Sequence, residues 1–308
     1  LNEQENIIDK LAPKGSKRRV VVNICTQVYT HPKQILHYMK PQKIKRVFYY
    51  LFHDGIRGVS KVLDDRMLMG SDLKLELVVK KQITGNSIKD YPEIVFKGAE
   101  NPLVSIIIPV YNQFDYTYAC LRSIFENTGD INYEIIIADD CSNDLTKNIC
   151  EVVKGIHVEK TQGQSYFLRN CNHAAKAAKG KYIVFLNNDT QVQENWLKPL
   201  VDLMERDSKI RMAGSCLVYP DGRLQEAGGI LWKDGSAWNF GNGHNPAMPE
   251  YRYVKDVDYI SGAAIMIRHD LWNELGGFDE TFAPAYCEDS DLAFSVRKKG
   301  YRVVYQPL

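Results

Sequence analysis

Acidic and amide side chains close two apolar runs of the sequence. Asp139 and Asp140 follow "YEIIIA", and Asn187, Asn188 and Asp189 follow "KYIVFL". A carboxylate is a hard oxygen ligand that suits Mg²⁺ or Mn²⁺, with water and diphosphate oxygens completing the coordination. Asp189 is therefore a candidate metal ligand, and the Asp139–Asp140 pair is a candidate acceptor for the ring N–H of a pyrimidine base. The alternative is that these polar groups only cap the helices that follow.

Three further acids, Glu288, Asp289 and Asp291, begin the segment "EDSDLAFSVRKKG", which has the pattern of a helix. The helix macrodipole favours negative charge in the first turn, and for Asp291 this role is sufficient. A general base must lie within hydrogen-bond reach of the proton that it removes, and a helix N-terminus below a crevice can provide that position. Glu288 and Asp289 are both candidates for this role, and the residues alone do not choose between them.

Continuous apolar runs alternate with helical segments from residue 103 onward. Strands are predicted over 103–112, 133–144, 156–161 and 181–190, and helices over 114–130, from a cap at Ser142 or Asn143 to 154, and over 165–180. Such alternation predicts a mostly parallel sheet with helices on both faces. Ligands bind beyond the carboxyl ends of the strands in open sheets of this kind, so the polar strand ends should share one crevice.

The turn after the first of these strands, "PVYNQF", contains no glycine, and the chain has no G-x-x-x-x-G-K-[ST] motif. A dinucleotide fold needs G-x-G-x-x-G at this turn, and a P-loop enzyme needs the second motif. A nucleotidyltransferase would need a glycine-rich, basic loop there. These classes are disfavoured, and a divalent cation is expected to do the work of a phosphate-binding loop.

The bulk composition is that of a soluble globular protein. The chain has 308 residues, 44% hydrophobic and 25% charged, with a net charge of +1 that gives no reason to expect nucleic acid. Seven scattered cysteines, odd in number and without a C-x-x-C pair, predict reduced thiols in a cytoplasmic setting and argue against a zinc site. The sequence begins with Leu1 rather than Met and lacks a signal-like apolar segment, so we expect a piece of a longer protein.

Residues 1–100 lack the regular alternation of apolar runs and helical segments found later in the chain. We expect them to form a partly helical, basic extension. The linker "KGAENPL" is expected to join this extension to a domain over 101–308. The stretch 43–61 mixes aromatic and aliphatic residues with Lys and Arg. One interpretation is an amphipathic helix that contacts an anionic membrane surface. The other is a helix packed on the neighbouring domain with its charges in water.

Five motifs in order, "VSIIIPVYN", "EIIIADDCSND", "AKGKYIVFLNNDT", "ISGAAIMIRHDLWNELGGFDE" and "CEDSDLAFSVRKKGYRVVYQP", resemble a family 2 glycosyltransferase of the GT-A fold. The similarity is to the bacterial surface-polysaccharide and rhamnosyltransferase-like branch and covers residues 103–308. It implies a Rossmann-like α/β domain. The activity it implies is inverting transfer of a sugar from a UDP-, dTDP- or GDP-sugar to a glycan or lipid-linked acceptor, with Mn²⁺ or Mg²⁺ and no organic cofactor.

The resemblance also implies roles for single residues. The Asp139–Asp140 pair recognises the base, and Asp289, with Glu288 beside it, is the catalytic base. The family motif Asp-x-Asp reads Asn187-Asn188-Asp189 here, so the metal depends mainly on Asp189. The remaining nucleotide-binding positions are Pro109, Tyr111, Asn112, Asn172, Asn187 and Asn188, and the acceptor or sugar positions are Gly262, Ala263 and Trp238.

The family often places a metal-binding histidine after the "YQP" strand, and we expect the domain to continue past Leu308. The absent first Asp and the absent histidine motivate a rival interpretation, a non-catalytic glycan-binding or scaffolding domain of a larger synthase. The site is expected in the cytoplasm, at the inner face of the membrane if the basic stretch binds there.

The glycine-rich run over 226–246 is either a surface hairpin or a mobile lid over donor or acceptor. Within or near it, Trp232 and Trp238 either stack on sugar rings or pack in the protein, and the same alternatives hold for Trp272. His244 is expected to be a surface residue rather than a ligand.

Overall fold

The computed structural model describes residues 77–80 and 82–307. The predicted strand ends belong to an eight-stranded sheet formed by these residues. The strands are β1 (Ile94–Val95), β2 (Val104–Val110), β3 (Tyr133–Asp139), β4 (Val153–Lys154), β5 (His157–Lys160), β6 (Tyr182–Leu186), β7 (Ile210–Ser215), β8 (Leu217–Val218), β9 (Leu224–Glu226), β10 (Gly229–Leu231), β11 (Ala237–Asn239), β12 (Lys255–Asp256), β13 (Ala264–Arg268) and β14 (Arg302–Gln306). The α-helices are α1 (Phe114–Asn127), α2 (Tyr166–Ala174), α3 (Lys198–Arg206), α4 (His269–Leu275) and α5 (Glu288–Lys298).

The strand order in the large sheet is β12-β14-β7-β13-β6-β2-β3-β5. The pairs β2–β3, β2–β6, β3–β5 and β14–β7 are parallel, whereas β13 is antiparallel to both β6 and β7. The predicted mostly parallel sheet is confirmed. Because β13 runs in the opposite direction, its first residue, Ala264, pairs with Leu186, the last residue of β6. The loop before β13 therefore lies at the edge where the parallel strands end.

Helices cover both faces of the sheet, as predicted. Every residue of β2 is buried, and its side chains alternate between two apolar clusters. Ile106 and Ile108 pack in a cluster that includes residues of α1 and α3, while Ile107 packs with residues of α2, α4 and α5. Continuous Ile and Val runs are needed because each strand has apolar neighbours on both sides.

Two segments differ from the predicted helices. The helix expected from residue 142 to 154 is a 3-10 helix over Leu145–Glu151, and its N-cap is Asp144 rather than Ser142 or Asn143. The helix expected to end at Gly180 ends at Ala174, followed by a 3-10 turn over Ala175–Ala177. A Cβ on Gly180 would lie 2.6 Å from the Ser105 backbone nitrogen, so close backbone contact explains this glycine.

The residues just before the predicted linker pack against the sheet domain. Tyr91, Ile94 and Phe96 are buried in the same cluster as α1, and β1 pairs with β4 in parallel. The last part of the predicted extension thus contributes to the domain core. The basic stretch 43–61 lies outside the described residues. Among the helices that the structure describes, none is long and apolar enough to cross a bilayer.

Candidate functional site

The Asp140 carboxylate, directly after β3, is held by four hydrogen bonds. Its Oδ1 accepts from the Thr161 hydroxyl (3.0 Å) and from the Ser165 N–H (2.6 Å) and hydroxyl (2.8 Å), and its Oδ2 accepts from the Tyr166 N–H (2.8 Å). The first N–H groups of a helix lack intrahelical partners, and Asp140 satisfies two of them at the start of α2. The side chain is only 3% exposed, so its main role is to anchor this helix to the strand end.

The Asp139 carboxylate is equally buried but has fewer partners. Its Oδ1 accepts from the Ser142 N–H (2.9 Å), and its Oδ2 lies 3.6 Å from the Lys160 ammonium. A carboxylate offers about four lone-pair positions, so Oδ2 retains capacity for a further donor. Of the two acids, Asp139 is therefore the better placed to accept a hydrogen bond from a ligand.

The turn after β2 is shaped by Asn112. Its side-chain oxygen accepts from the backbone N–H groups of Asn143 (2.8 Å) and Asp144 (3.3 Å), and its own N–H donates to the Ser142 hydroxyl. Asn112 has a φ of 56°, a left-handed conformation that Asn tolerates better than most residues. It joins the ends of β2 and β3, whereas Tyr111 beside it is exposed and Pro109 is buried within β2.

The three polar residues after β6 have different contacts. The Asn187 N–H donates to the Ala263 carbonyl (3.0 Å), and the Asn188 amide donates to the Thr117 hydroxyl of α1 (3.0 Å). Asp189 is exposed, and its carboxylate has no hydrogen-bond or ion-pair partner among the residues that the structure describes. Of the three, only Asp189 presents a free carboxylate.

Asp189 fits the expected metal as a single carboxylate ligand. Within residues 77–80 and 82–307, no group of three or more His, Cys, Asp and Glu side chains is arranged to hold a metal ion alone. Mg²⁺ commonly uses one or two carboxylates and takes its remaining ligands from phosphate oxygens and water. This chain matches such a site better than a site built only from protein ligands.

Asp289 is fixed against the loop before β13. Its Oδ2 accepts from the Gly262 N–H (2.9 Å), and its Oδ1 accepts from the Ser290 N–H (2.7 Å). The next residue of the loop, Ala263, carries the carbonyl that binds Asn187. The structure thus joins the predicted base, the predicted acceptor residues Gly262 and Ala263, and the predicted metal motif through adjacent peptide groups.

Glu288 precedes Asp289 but has a different environment. It is buried, its Oε2 has no hydrogen-bond partner among the described residues, and burial raises the pKa of its carboxyl. The neighbouring Asp289 carboxylate raises it further. Glu288 is therefore buried away from a substrate, and the half-buried Asp289 is the more accessible candidate for a base.

A third acid, Glu226 at the end of β9, was not among the residues predicted for the site. Its Oε1 accepts from the Ser261 N–H (3.0 Å), the amide adjacent to that bound by Asp289. Burial raises its pKa to about 7, and the Asp289 charge acts in the same direction. One feature of the sequence could have identified Glu226. In "RLQEAGG" an acid lies between apolar and glycine-rich residues, and a solvent-exposed hairpin would not require an acid at that position.

Other predicted residues have structural contacts. The Asn172 side chain donates to the Phe278 carbonyl (2.8 Å) and accepts from its N–H (2.9 Å), so it fixes the turn after α4. Trp272 is buried beside Phe185 and Phe278, which favours the packing interpretation. His244 is partly buried, with Nδ1 2.5 Å from the Tyr251 hydroxyl.

The glycine-rich run contains a hydrogen-bonded hairpin, in which β10 pairs with β11. Trp232 and Trp238 form an edge-to-face pair on it and are 51% and 60% exposed. The hairpin is tied to the site because Gly229 pairs with Tyr259, whose hydroxyl donates to the Asn239 side chain (3.1 Å). The two tryptophans are available for a ligand, whereas Trp272 is not.

Comparison with known proteins gives consistent results. The family model described as "Glycosyl transferase family 2" matches residues 105–275. The O-antigen biosynthesis protein RfbC of Myxococcus xanthus is 27% identical over 215 residues, 66% of this chain and 16% of its own length. Glycosyltransferase GlyG of Streptococcus pneumoniae is 31% identical over 116 residues, 35% of this chain and 37% of its own length. The chain thus spans well under half the length of these relatives.

Among solved structures, a crystal structure of GalNAc-T7 with UDP, GalNAc and Mn²⁺ superposes with a TM-score of 0.55 at 19% identity. The match covers 68% of this chain and 43% of that chain. At this identity the likeness concerns the fold, and it agrees with the GT-A architecture expected from the sequence.

Proposed function

Because the chain belongs to glycosyl transferase family 2, we propose that it moves one sugar from a nucleoside diphosphate donor to a glycan or lipid-linked acceptor in the synthesis of a cell-surface polysaccharide. The observation that carries this proposal is the placement of Asp289 on the Gly262 amide, one peptide away from the Ala263 carbonyl bound by Asn187. A candidate base and a candidate metal motif therefore meet at one edge of the sheet. O-antigen synthesis by a relative supports the choice of product class.

The donor nucleotide binds across the ends of β2, β3 and β6. Asp139 accepts the ring N–H of uracil or thymine, because its Oδ2 retains a free lone pair while Asp140 is occupied by α2. The exposed Tyr111 ring and the turn fixed by Asn112 border the same strand ends. The UDP bound to GalNAc-T7 supports a uridine donor.

Asp189 would hold a divalent cation, Mn²⁺ or Mg²⁺, as its carboxylate ligand from this chain. When bound, the cation would supply positive charge to offset the negative charge that grows on the departing diphosphate. Asn187 and Asn188 cannot replace a carboxylate as charged ligands, and their hydrogen bonds to Ala263 and Thr117 keep the loop that carries Asp189 in place. No organic cofactor is needed for this chemistry.

Asp289 acts as the general base of a single displacement. It removes the proton of the acceptor hydroxyl as that oxygen forms a bond to C1 of the donor sugar. The bond from C1 to the diphosphate oxygen breaks on the opposite face, and its electron pair leaves with the nucleoside diphosphate. The anomeric configuration is inverted, and Asp289 becomes a neutral carboxyl that later loses its proton to water.

The acceptor lies against the loop at Gly262 and Ala263, with Trp238 on the hairpin as a stacking surface. A Cβ on Gly262 would lie 3.7 Å from Asp289 Oδ2, so a glycine here keeps the space above the base open. Aromatic faces bind the apolar faces of sugar rings, and the exposed Trp238 ring suits this role. We place this reaction in the cytoplasm, and at the inner face of the membrane if the basic stretch 43–61 binds there.

Paired variants of the two adjacent acids test the proposal. Asp289→Asn keeps the size of the side chain and an oxygen for the Gly262 N–H, so donor binding measured by calorimetry should be unchanged. Turnover should fall by about 10²–10⁴-fold, the usual cost of losing a general base. Glu288→Gln is the matched control and should retain most activity.

The donor is found first by thermal shift with UDP-, dTDP- and GDP-sugars, with and without Mn²⁺. A ligand at ~100 times its dissociation constant stabilises by ~2.7 kcal/mol, which is readily measured. If the wild-type protein binds a donor but neither hydrolyses nor transfers its sugar, the chain is a glycan-binding or scaffolding domain and the proposed activity is wrong. If Glu288→Gln is inactive and Asp289→Asn is not, the base is Glu288.

A further inference from the structure

Glu226 lies in a position that the proposed mechanism does not yet use. Its side chain is 1% exposed, and its Oε1 accepts from the Ser261 N–H at 3.0 Å. We infer that Glu226 is a positioning residue, which holds the loop Ser261–Ala263 in the arrangement in which Gly262 orients Asp289. This inference rests on the proposed function, since it concerns the geometry of the same transfer.

The first argument is the continuity of the contacts. Glu226, Asp289 and Asn187 come from three separate elements, β9, α5 and the turn after β6. They bind successive residues of one loop, at the Ser261 N–H, the Gly262 N–H and the Ala263 carbonyl. Displacing one peptide group of such a loop moves its neighbours, so loss of the Glu226 contact is transmitted to the group that orients Asp289.

The second argument is the chemistry of the buried carboxyl. Glu226 Oε2 is buried and has no hydrogen-bond partner among the described residues. Within the same residues no cation is paired with Glu226, and the ionisable groups that face it are Asp289 on α5, Tyr259 before β13 and Tyr305 on β14. A buried carboxyl without a cation is costly in its charged form. If the only role of this position were packing, a glutamine or an apolar residue would fill it at a lower cost in folding free energy.

The third argument concerns the charge. Burial, followed by the nearby Asp289 charge, raises the pKa of Glu226 to about 7. Glu226 therefore ionises near neutral pH, and its ionisation changes the charge beside the loop that orients Asp289. A change in the protonation of Glu226 is thus expected to affect the geometry of this loop.

The test compares Glu226→Ala and Glu226→Gln with the wild-type protein, using the donor identified by thermal shift. Glu226→Ala removes the acceptor for Ser261, so kcat should fall by about 10²-fold, the effect of a small misplacement of reacting groups. The donor dissociation constant should be unchanged. Glu226→Gln keeps an oxygen for Ser261 and should retain kcat within about threefold at pH 6. It should lack the inflection near pH 7 that ionisation of Glu226 gives the wild-type kcat profile.

Glu274→Gln is the matched control, because Glu274 is a half-exposed acid that pairs with Lys299 away from the site. It should behave as wild type in every assay. Amide hydrogen exchange over residues 259–264 gives a readout that does not depend on activity, and exchange should be faster in Glu226→Ala only.

Two results would overturn the inference. One is a Glu226→Ala protein that is less stable but has the wild-type kcat per folded molecule, together with a Glu226→Gln profile that keeps the inflection, because Glu226 would then be only structural. The other is unchanged exchange at Ser261 and Gly262 in Glu226→Ala. If the wild type transfers no sugar, the proposed function fails, and hydrogen exchange alone decides whether Glu226 holds the loop.

Discussion

The buried carboxyl of Glu226 should make the free energy of unfolding fall as the pH rises from acid to neutral. Its pKa is raised from 4.5 to about 7 in the folded protein, first by burial and then by the Asp289 charge. Between these pH values the folded state keeps the proton and the unfolded state has lost it. The stability is then greatest below the unfolded pKa and declines as the pH rises toward 7.

The size of this effect follows from the two pKa values. Each pH unit in the window is worth ~1.36 kcal/mol, so the full effect is about 3 kcal/mol. Raising the pH from 5.5 to 8 covers only the part of this pH range above 5.5, because the first unit, from 4.5 to 5.5, lies below the starting pH. The free energy of unfolding of the wild type should therefore fall by about 2 kcal/mol between pH 5.5 and pH 8. Glu226→Gln cannot ionise. Relative to wild type, this variant should therefore gain about 2 kcal/mol when the pH is raised from 5.5 to 8.

Urea unfolding of both proteins at pH 5.5, 6.5, 7.3 and 8, followed by tryptophan fluorescence, measures the effect. The pKa of Glu288 is also raised, but its contribution is present in both proteins and cancels in the difference. Glu274→Gln serves as the control and should stay parallel to wild type. Parallel curves for Glu226→Gln and wild type, within about 0.5 kcal/mol, would refute the reasoning, because Glu226 would then have the same proton affinity in both states.

Three further changes at the strand ends and one on the hairpin test the proposed site. Asp189→Asn should abolish the stimulation of donor binding by Mn²⁺ in calorimetry and leave the melting temperature of the free protein unchanged, and full activity in EDTA would disprove a metal role. Asp140→Ala should lower the free energy of unfolding by about 3 kcal/mol in urea, because the donors at the start of α2 lose their acceptor. Asp139→Asn should instead weaken UDP or dTDP binding about tenfold, the cost of one hydrogen bond to a charged group, with little loss of stability. Trp238→Ala should raise the KM for the acceptor and leave the donor KM unchanged, and equal changes in both would place this ring elsewhere.

The sequence predicts the four neighbouring parallel strands β2, β3, β5 and β6 of the large sheet well, because their signal is local. Runs such as "VSIIIPV" are apolar at almost every position, and only a strand covered on both faces needs that pattern. The strand-end acids follow directly from those runs, so the sequence alone places Asp139, Asp140 and Asp189 on one edge of the sheet. The 3-10 helix over Leu145–Glu151 was missed because its sequence suits an α-helix equally well, and tertiary contacts decide between them.

Long-range contacts account for what the sequence does not reveal. Glu226 and Ser261 are separated by 35 residues, and no periodicity links an acid in a glycine-rich run to that amide. Asn172 fits a nucleotide-binding pattern, yet it binds the backbone of Phe278, 106 residues later. The antiparallel direction of β13 brings Gly262 to Asp289, and chain direction within a sheet is not encoded in the apolar run itself.

The loop at Ser261–Ala263 is held almost entirely by its backbone. This affects which of its residues can change during evolution. Two N–H groups and one carbonyl make the contacts to Glu226, Asp289 and Asn187. Every amino acid except proline supplies the same groups. Substitutions at Ser261 and Ala263 therefore keep these backbone contacts, whereas Gly262 is constrained by the space that it leaves above Asp289. Under the proposed function, side chains at the two flanking positions can change acceptor preference while the position of Asp289 stays the same.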